Sequence, residues 1–513
     1  MIVCLVLPSQ RYLTEAVGDA TTVDRMAAYV RSLGGVDRVR VICRDDPAAS
    51  DAVLRAFPPD WDIHRCPDLY ERSVIDAIID ACARGDDARA RGDDARGDDA
   101  GDVIVAHADL PFLNSELTRR LLDRHRTFRA DYTFADGYPV GLAPEVVNRR
   151  VLAHLASICK PEPFGRQGLF PIVLRDINRI DVETELSATD QRLLRLVLAV
   201  DSLANLTVCR ALADDAPDAI DEWAAHATQH AARHRSLPRF VGVQTIEQEV
   251  HRTEYSPYPM MRPDPTAPGR VMSAADFSTI IDELSDFAPE AVVHLSLWGE
   301  IALHPDAIAM VSRVLDTDAL SVLVETSGVG WSDSARAALL AIDDERFQVI
   351  VGIDTNDPEL YGELRGAGFD EATSFATRAI ERLGTRAHVQ AVRYDRTEPA
   401  LDAFYRHWKE RTDNVIIQKY DHFCGRLPHR RIGDLSPIKR FPCWRLQRDM
   451  VILVDGTLPL CREDIYAEER LGNAFSDGIA AAWANGAERY ERHIHGEYDG
   501  LCAGCDEYYI FSF

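Results

Sequence analysis

The sequence is poor in positive charge. It has 57 lysines and arginines against 83 acidic residues, a formal net charge of −26. Phosphate neutralisation needs clustered basic side chains, so this balance argues against a nucleic-acid partner. Lysine is almost missing: Lys160, Lys409, Lys419 and Lys439 are the only four. Arginine and alanine dominate throughout, which reads as base composition. Long apolar runs are missing too. Stretches such as Ile2–Leu7 and Val349–Val351 are strand-sized, far short of the roughly 18 residues of a spanning helix, so no membrane partner is expected. Met1–Pro8 has neither a basic leader nor a small-residue cleavage site and reads as a first strand. No cysteine lies between Cys209 and Cys424. Eleven cysteines without an export signal point to a reducing, cytoplasmic setting.

What is present is alternation. Residues 1–210 alternate strand-like segments (Ile2–Leu7, Val39–Cys43, Asp102–Ala106) with helical ones, which predicts an α/β domain. Within it, Arg84–Asp102 repeats Arg-Gly-Asp-Asp-Ala three times and reads as a disordered surface insertion. Residues 211–238 read as a helical linker. There His226, His230 and His234 share one helix face, read as solvated because no carboxylate or cysteine partner is evident.

Residues 239–425 offer six strands: Phe240–Ile246, Ala291–Leu297, Ser321–Thr326, Phe347–Ile353, His388–Val392 and Asn414–Gln418. Helices are expected between them at Ala274–Phe287, Pro305–Leu315, Ser332–Ala341, Glu371–Leu383 and Pro399–Arg411. Such crossovers make a parallel sheet, either open or a partial (β/α)6 barrel.

Residues 436–513 are short and loop-rich, with little core of their own, so a metal staple makes physical sense. Cys443, Cys461, Cys502 and Cys505 are spaced C-x17-C-x40-C-x2-C. Cys443 and Cys461 flank an expected hairpin of Val451–Val454, Asp455-Gly456 and Thr457–Leu460, and Cys502–Cys505 forms a knuckle that closes the site. Four converging thiolates suit an iron–sulfur cluster or zinc. A zinc ribbon has two C-x2-C knuckles, and here the first pair is split by a hairpin. Cys424 is a fifth nearby thiol, read as structural or as a spare ligand. Cys4, Cys43, Cys66, Cys82, Cys159 and Cys209 read as small buried hydrophobes.

Pro442-Cys443-Trp444, Val451–Gly456, Pro459-Leu460-Cys461, Leu471-Gly472-Asn473 and Cys502…Cys505 together resemble the SPASM or "twitch" auxiliary domain of radical-SAM enzymes. The resemblance implies one 4Fe-4S cluster on Cys443, Cys461, Cys502 and Cys505. Arg462 stands where many relatives have a further cysteine. Upstream, Ser296–Ile301 with His304-Pro305 resembles the Gly-Gly-Glu-Pro motif that contacts the amino group of S-adenosylmethionine, with Gly299 and Glu300 kept. Glu300 is therefore read either as an adenosyl-ligand contact or as a barrel-mouth carboxylate. Glu325–Gly328, Gly352-Ile353-Asp354 and Leu364-Arg365-Gly366 extend the likeness to a radical-SAM barrel. Where the family places C-x3-C-x2-C, the chain reads Glu247 through Pro257 without a thiol. The family's radical activity is thus not expected.

Ala106–Leu113 and Ala130–Leu142 resemble nucleotide-sugar cytidylyltransferases, which implies a nucleotide-diphospho-sugar-transferase-like domain with Asp109 as a Mg²⁺ ligand. The segment Leu7–Tyr12 carries no glycine with which to cradle a phosphate. The whole combination resembles spiro-SPASM proteins. It points to a 4Fe-4S protein with a binding, electron-transfer or accessory role toward a protein partner or small-molecule substrate. The alternative is a nucleotide-sugar or envelope-sugar modifying enzyme that uses the N-terminal domain.

Overall fold

The computed structural model describes residues 1–45, 51–89, 101–262, 264, 268–433 and 440–509. The chain divides into two compact units, Met1–Ser236 and Leu237–Phe513. Both are mixed α/β with mainly parallel sheets. Among the described residues no helix is long and apolar enough to cross a membrane.

The first unit is a seven-stranded sheet. In chain order the strands are β1 (Ile2–Leu7), β2 (Arg38–Arg44), β3 (Asp62–Cys66), β4 (Asp102–His107), β5 (Tyr132–Asp136), β6 (Glu145–Asn148) and β7 (Val182–Leu186). Their spatial order is β3-β2-β1-β4-β6-β5-β7, with β6 antiparallel to both neighbours. All six residues of β1 are buried, as befits a central parallel strand covered on both faces. Its period-two alternation sends Val3, Leu5 and Leu7 into one core and Ile2, Cys4 and Val6 into the other. Cys4, Cys43, Cys66, Cys82 and Cys209 are buried free thiols, and Cys159 is half-buried.

Two sequence expectations change here. Residues 211–238 are not a linker, because Ile220, Trp223 and Ala227 belong to the first unit's core and Trp223 meets Phe112 edge-on at 5.6 Å. Of the insertion expected over 84–102, residues 84–89 continue the helix Glu71–Arg89 and Asp102 opens β4. Residues 90–100 lie outside the described residues.

The second unit holds a seven-stranded parallel sheet made of β8 (Phe240–Val243), β9 (Val292–His294), β10 (Ser321–Thr326), β11 (Phe347–Gly352), β12 (Ala387–Arg393), β13 (Val415–Lys419) and β14 (Asp449–Ile452). The order is β13-β12-β11-β10-β9-β8-β14. The last strand comes from the cysteine-bearing segment. Asp449–Ile452 pairs in register with Phe240–Val243, so the C-terminal segment is built into the barrel-like sheet. The expected hairpin turn forms, with Leu453 N donating to the Thr457 carbonyl at 2.8 Å. Gly456, at φ +79°, turns the chain, but the returning strand β15 (Thr457–Pro459) pairs antiparallel with β16 (Arg470–Asn473).

One sheet face is apolar. Val241, Val293, Val322, Val324, Val349 and Val389 pack against helix residues such as Phe277, Ile281 and Phe375. The opposite face is polar, and that face carries the site.

Candidate functional site

Two cavities lie close together in the second unit. The first is a pocket of about 210 Å³ on the polar face of the sheet. His294, Glu325, Gly352, Gln390 and Gln418, from five successive strands, line it. Sequence reading named none of His294, Gln390 and Gln418 as site residues. Their signal was a polar residue recurring inside parallel strands, where both faces are usually apolar.

The pocket's rim is the loop after β8, the thiol-free segment Glu247–Pro257. Glu249, His251, Tyr255 and Ser256 occupy it. The Glu249 carboxyl accepts from Ser256 Oγ at 3.3 Å. Burial pushes it up to about 8, and neighbouring Glu300 adds to the rise. His251 bonds the Arg365 carbonyl through Nδ1 at 2.8 Å. Tyr255 donates to Asp354 at 2.6 Å, and Arg365 Nε donates to the same carboxylate at 2.7 Å.

Glu300 is buried and fully engaged. It accepts from Thr326 Oγ1, Ser327 N and Ser327 Oγ, each at 2.7 Å, and from Ala302 N at 3.2 Å. It therefore ties the end of β10 to the turn Ile301–Leu303. Gly299 is required by closeness: a Cβ there would lie 1.9 Å from the Ile246 carbonyl oxygen. Beside it Trp298 holds φ +49°, and Asp354, which accepts from Tyr255 and Arg365, holds φ +72°. Left-handed backbone at non-glycine residues is strained and collects at binding sites.

The second cavity gathers the cysteines. Cys443 caps the helix Trp444–Arg448, Cys461 follows β15, and Cys502 and Cys505 stand in and just after the 3-10 turn Gly500–Gly504. All four line one enclosed space, and Cys424 joins them. Cys443, Cys461 and Cys502 are 8%, 8% and 6% exposed. Burial pushes the Cys443 and Cys502 thiols up to about 12 and also raises the Cys461 thiol well above its ordinary value. A cation bound among them reverses that logic and takes them as thiolates. The Glu507 amide donates to Cys505 Sγ at 3.4 Å, the kind of contact that tunes a thiolate ligand.

The spacing of the sulfurs tests which metal fits. Zinc–sulfur bonds of about 2.3 Å in a tetrahedron set sulfurs roughly 3.8 Å apart. Among the described residues, the ligand-type triplets that lie within 4.8 Å of one another include none of these cysteines. Four thiols spread around a closed space suit a multi-iron cluster better than a single ion.

Ion pairs line both cavities, and Arg462–Glu463 links one lining to the other. Arg462, one residue after Cys461, lines the pocket, and Glu463 lines the cysteine space. Arg462 pairs with Asp421 and with Glu463, each at 3.3 Å. Arg445 reaches Glu507 at 3.0 Å. Phe423 faces the pocket and Cys424 the cysteine space. Phe423, Cys424 and Gly425 all have positive φ, at +48°, +55° and +85°. For non-glycine residues this costs roughly 1–2 kcal/mol each.

Asp109 sits apart in the first unit, two residues beyond β4. It is fully buried, and both its carboxylate oxygens accept from Arg166, at 2.6 and 2.7 Å. Arg166 also reaches Asp201 at 2.8 Å. The expected Mg²⁺ ligand is thus held in a bidentate arginine pair, on the edge a metal would use. The histidine face also differs from expectation. His226 and His234 are buried, and Asp215 supplies a carboxylate 3.1 Å from His230, already shared with Arg233 at 2.9 Å. His493 is buried against Tyr498.

Comparison with known proteins bears on these features. Residues 443–506 match the SPASM model, described as an iron-sulfur cluster-binding domain. Crystal structures similar to parts of the chain include BtrN in complex with AdoMet and 2-DOIA, at 14% identity over 51% of this chain and 89% of that one, with TM-score 0.33. Streptococcus suis SuiB bound to S-adenosylmethionine is 13% identical over 55% of this chain and 76% of that one, with TM-score 0.42. A cytidylyltransferase from Leptospira borgpetersenii is 15% identical over 41% of this chain and 84% of that one, with TM-score 0.34. One Treponema pallidum protein, named only as uncharacterized, is 40% identical over 151 residues, 28% of this chain and 64% of its own length. Another, equally uncharacterized, is 34% identical over 359 residues, 67% of this chain and 98% of its own length. On that near-complete match, the chain belongs to the same family as this Treponema pallidum protein.

Proposed function

We propose that the chain is a 4Fe-4S protein in which Cys443, Cys461, Cys502 and Cys505 hold one cluster beside a pocket for a small polar ligand. Its role is binding, electron transfer or service to a partner enzyme, not radical generation. The observation that carries this reading is the back-to-back placement of the two cavities. Arg462 and Glu463, adjacent in sequence, face the pocket and the cysteine space respectively.

A bound cluster supplies one-electron chemistry. The chain's own residues do the rest. The four thiols would hold the cluster, and the Arg462–Glu463 pair joins a pocket residue to a residue of the cysteine space. Glu249, His294 and Gln390 offer hydrogen bonds to the ligand. The rim loop Glu247–Pro257 contains no thiol, so it has no soft ligand for the cluster that radical chemistry requires.

The cytidylyltransferase-like reading of the first unit is the weaker one, because Asp109 is occupied by Arg166. The test is electron paramagnetic resonance of the anaerobically reduced protein. Arg462→Gln should alter the spectrum of a reduced 4Fe-4S centre, and Arg166→Gln should leave it unchanged. A spectrum indifferent to Arg462 contradicts the coupling of pocket and cluster.

A further inference from the structure

The cysteine space holds one thiol more than a 4Fe-4S cluster uses. Cys424 comes from the loop after β13, and it lines the same cavity as the four expected ligands. Its thiol is in hydrogen-bonding contact with that of Cys505. A Cβ on Gly504 would lie 3.6 Å from the Cys424 carbonyl oxygen, so the loop packs against the Cys502–Cys505 knuckle. Other bonds clamp the same two segments together. Lys419 Nζ donates to the Asp506 carbonyl at 3.1 Å, Arg431 donates to the Asp506 carboxylate at 2.6 Å, and His422 faces that carboxylate at 3.3 Å.

The backbone is shaped to present this sulfur. Phe423, Cys424 and Gly425 take three successive left-handed conformations. The Gly425 amide donates to His422 Nδ1 at 2.8 Å, and the Phe423 amide donates to Asp421 at 2.7 Å. An ordinary turn here needs no such strain at two non-glycine residues. Cys505 is half-buried, whereas Cys443, Cys461 and Cys502 are buried. The corner that Cys505 serves is therefore the one open to exchange.

We propose that Cys424 and Cys505 share one corner of the cluster, so that either sulfur can ligate the same iron. The inference rests on the iron–sulfur reading above. In the exchange the iron–sulfur bond to Cys505 breaks as the bond to Cys424 forms. The Cys424 proton passes to Cys505, and no electron is gained or lost. Such an exchange keeps the cluster bound while the Cys502–Cys505 knuckle moves.

The test compares full-length variants reconstituted anaerobically with iron and sulfide, read by iron content and by resonance of the oxidised protein. Cys424→Ala and Cys505→Ala should each keep at least about half of the wild-type iron, without the three-iron signal of a lost corner. The double variant Cys424→Ala/Cys505→Ala should fall to the level of Cys443→Ala or show that three-iron signal. The double and single variants differ by one sulfur atom, so misfolding common to both cancels in the comparison. The proposal fails if Cys505→Ala alone falls to the Cys443→Ala level. It also fails if the double variant matches the Cys505→Ala single, or if Cys424→Ala alone loses the cluster. Failure of the wild-type chain to take up iron overturns the underlying reading instead.

Discussion

At the scale of single residues, burial separates the functional cysteines from the inert ones less well than convergence does. Cys4 and Cys209 are buried like Cys461, but neither lines the space on which the four ligand-like cysteines converge. Cys461→Ala should abolish iron binding, whereas Cys82→Ala should leave iron per chain unchanged, both measured after anaerobic reconstitution. Glu249 makes a different prediction. Its carboxyl is raised to about 8 in the fold by burial, against about 4.3 in an unfolded chain. The folded state therefore favours the protonated form. That contribution is complete below about pH 4.3 and is lost as pH rises through about 8. Glu249→Gln should melt higher than the wild type at pH 9 and nearly equal to it at pH 4. A gap that does not change with pH contradicts this account of the pocket.

At the scale of elements, the turn after β9 is set by backbone closeness. A methyl group at Gly299 meets the Ile246 carbonyl oxygen at 1.9 Å, so Gly299→Ala should cost about 1–3 kcal/mol, the usual range for overpacking. Denaturant unfolding measures it, and an unchanged midpoint contradicts the packing. Much of this architecture was legible in sequence. The helix expected at Ala274–Phe287 has those bounds, marked by its Ser273 cap, and β10 spans Ser321–Thr326 as expected, marked by period-two alternation. The helix Pro358–Leu364 was not foreseen, since seven residues carry too little periodic signal. The pairing of β14 with β8 joins residues about two hundred positions apart, and no local pattern encodes such a contact. The engagement of Glu300 by Thr326 and Ser327 was hidden for the same reason. The ligand-like cysteines were visible because their spacing is itself the signal, whereas Cys424 became informative only once its loop was seen against the Cys502–Cys505 knuckle.

At the scale of the whole molecule, the second unit unites a parallel sheet and a cysteine space in one compact body. Its rim loop carries Glu249 and His251 and no thiol. Incubation with S-adenosylmethionine and dithionite should therefore yield no 5′-deoxyadenosine above a no-protein control, as read by chromatography. Product that disappears in Cys443→Ala would show that the cluster itself does radical chemistry. The central claim is the identity of the metal. Anaerobically purified full-length protein should be brown and contain about four iron and four sulfide per chain, as measured by elemental and acid-labile sulfide analysis. A colourless protein with one zinc per chain and no iron would contradict it.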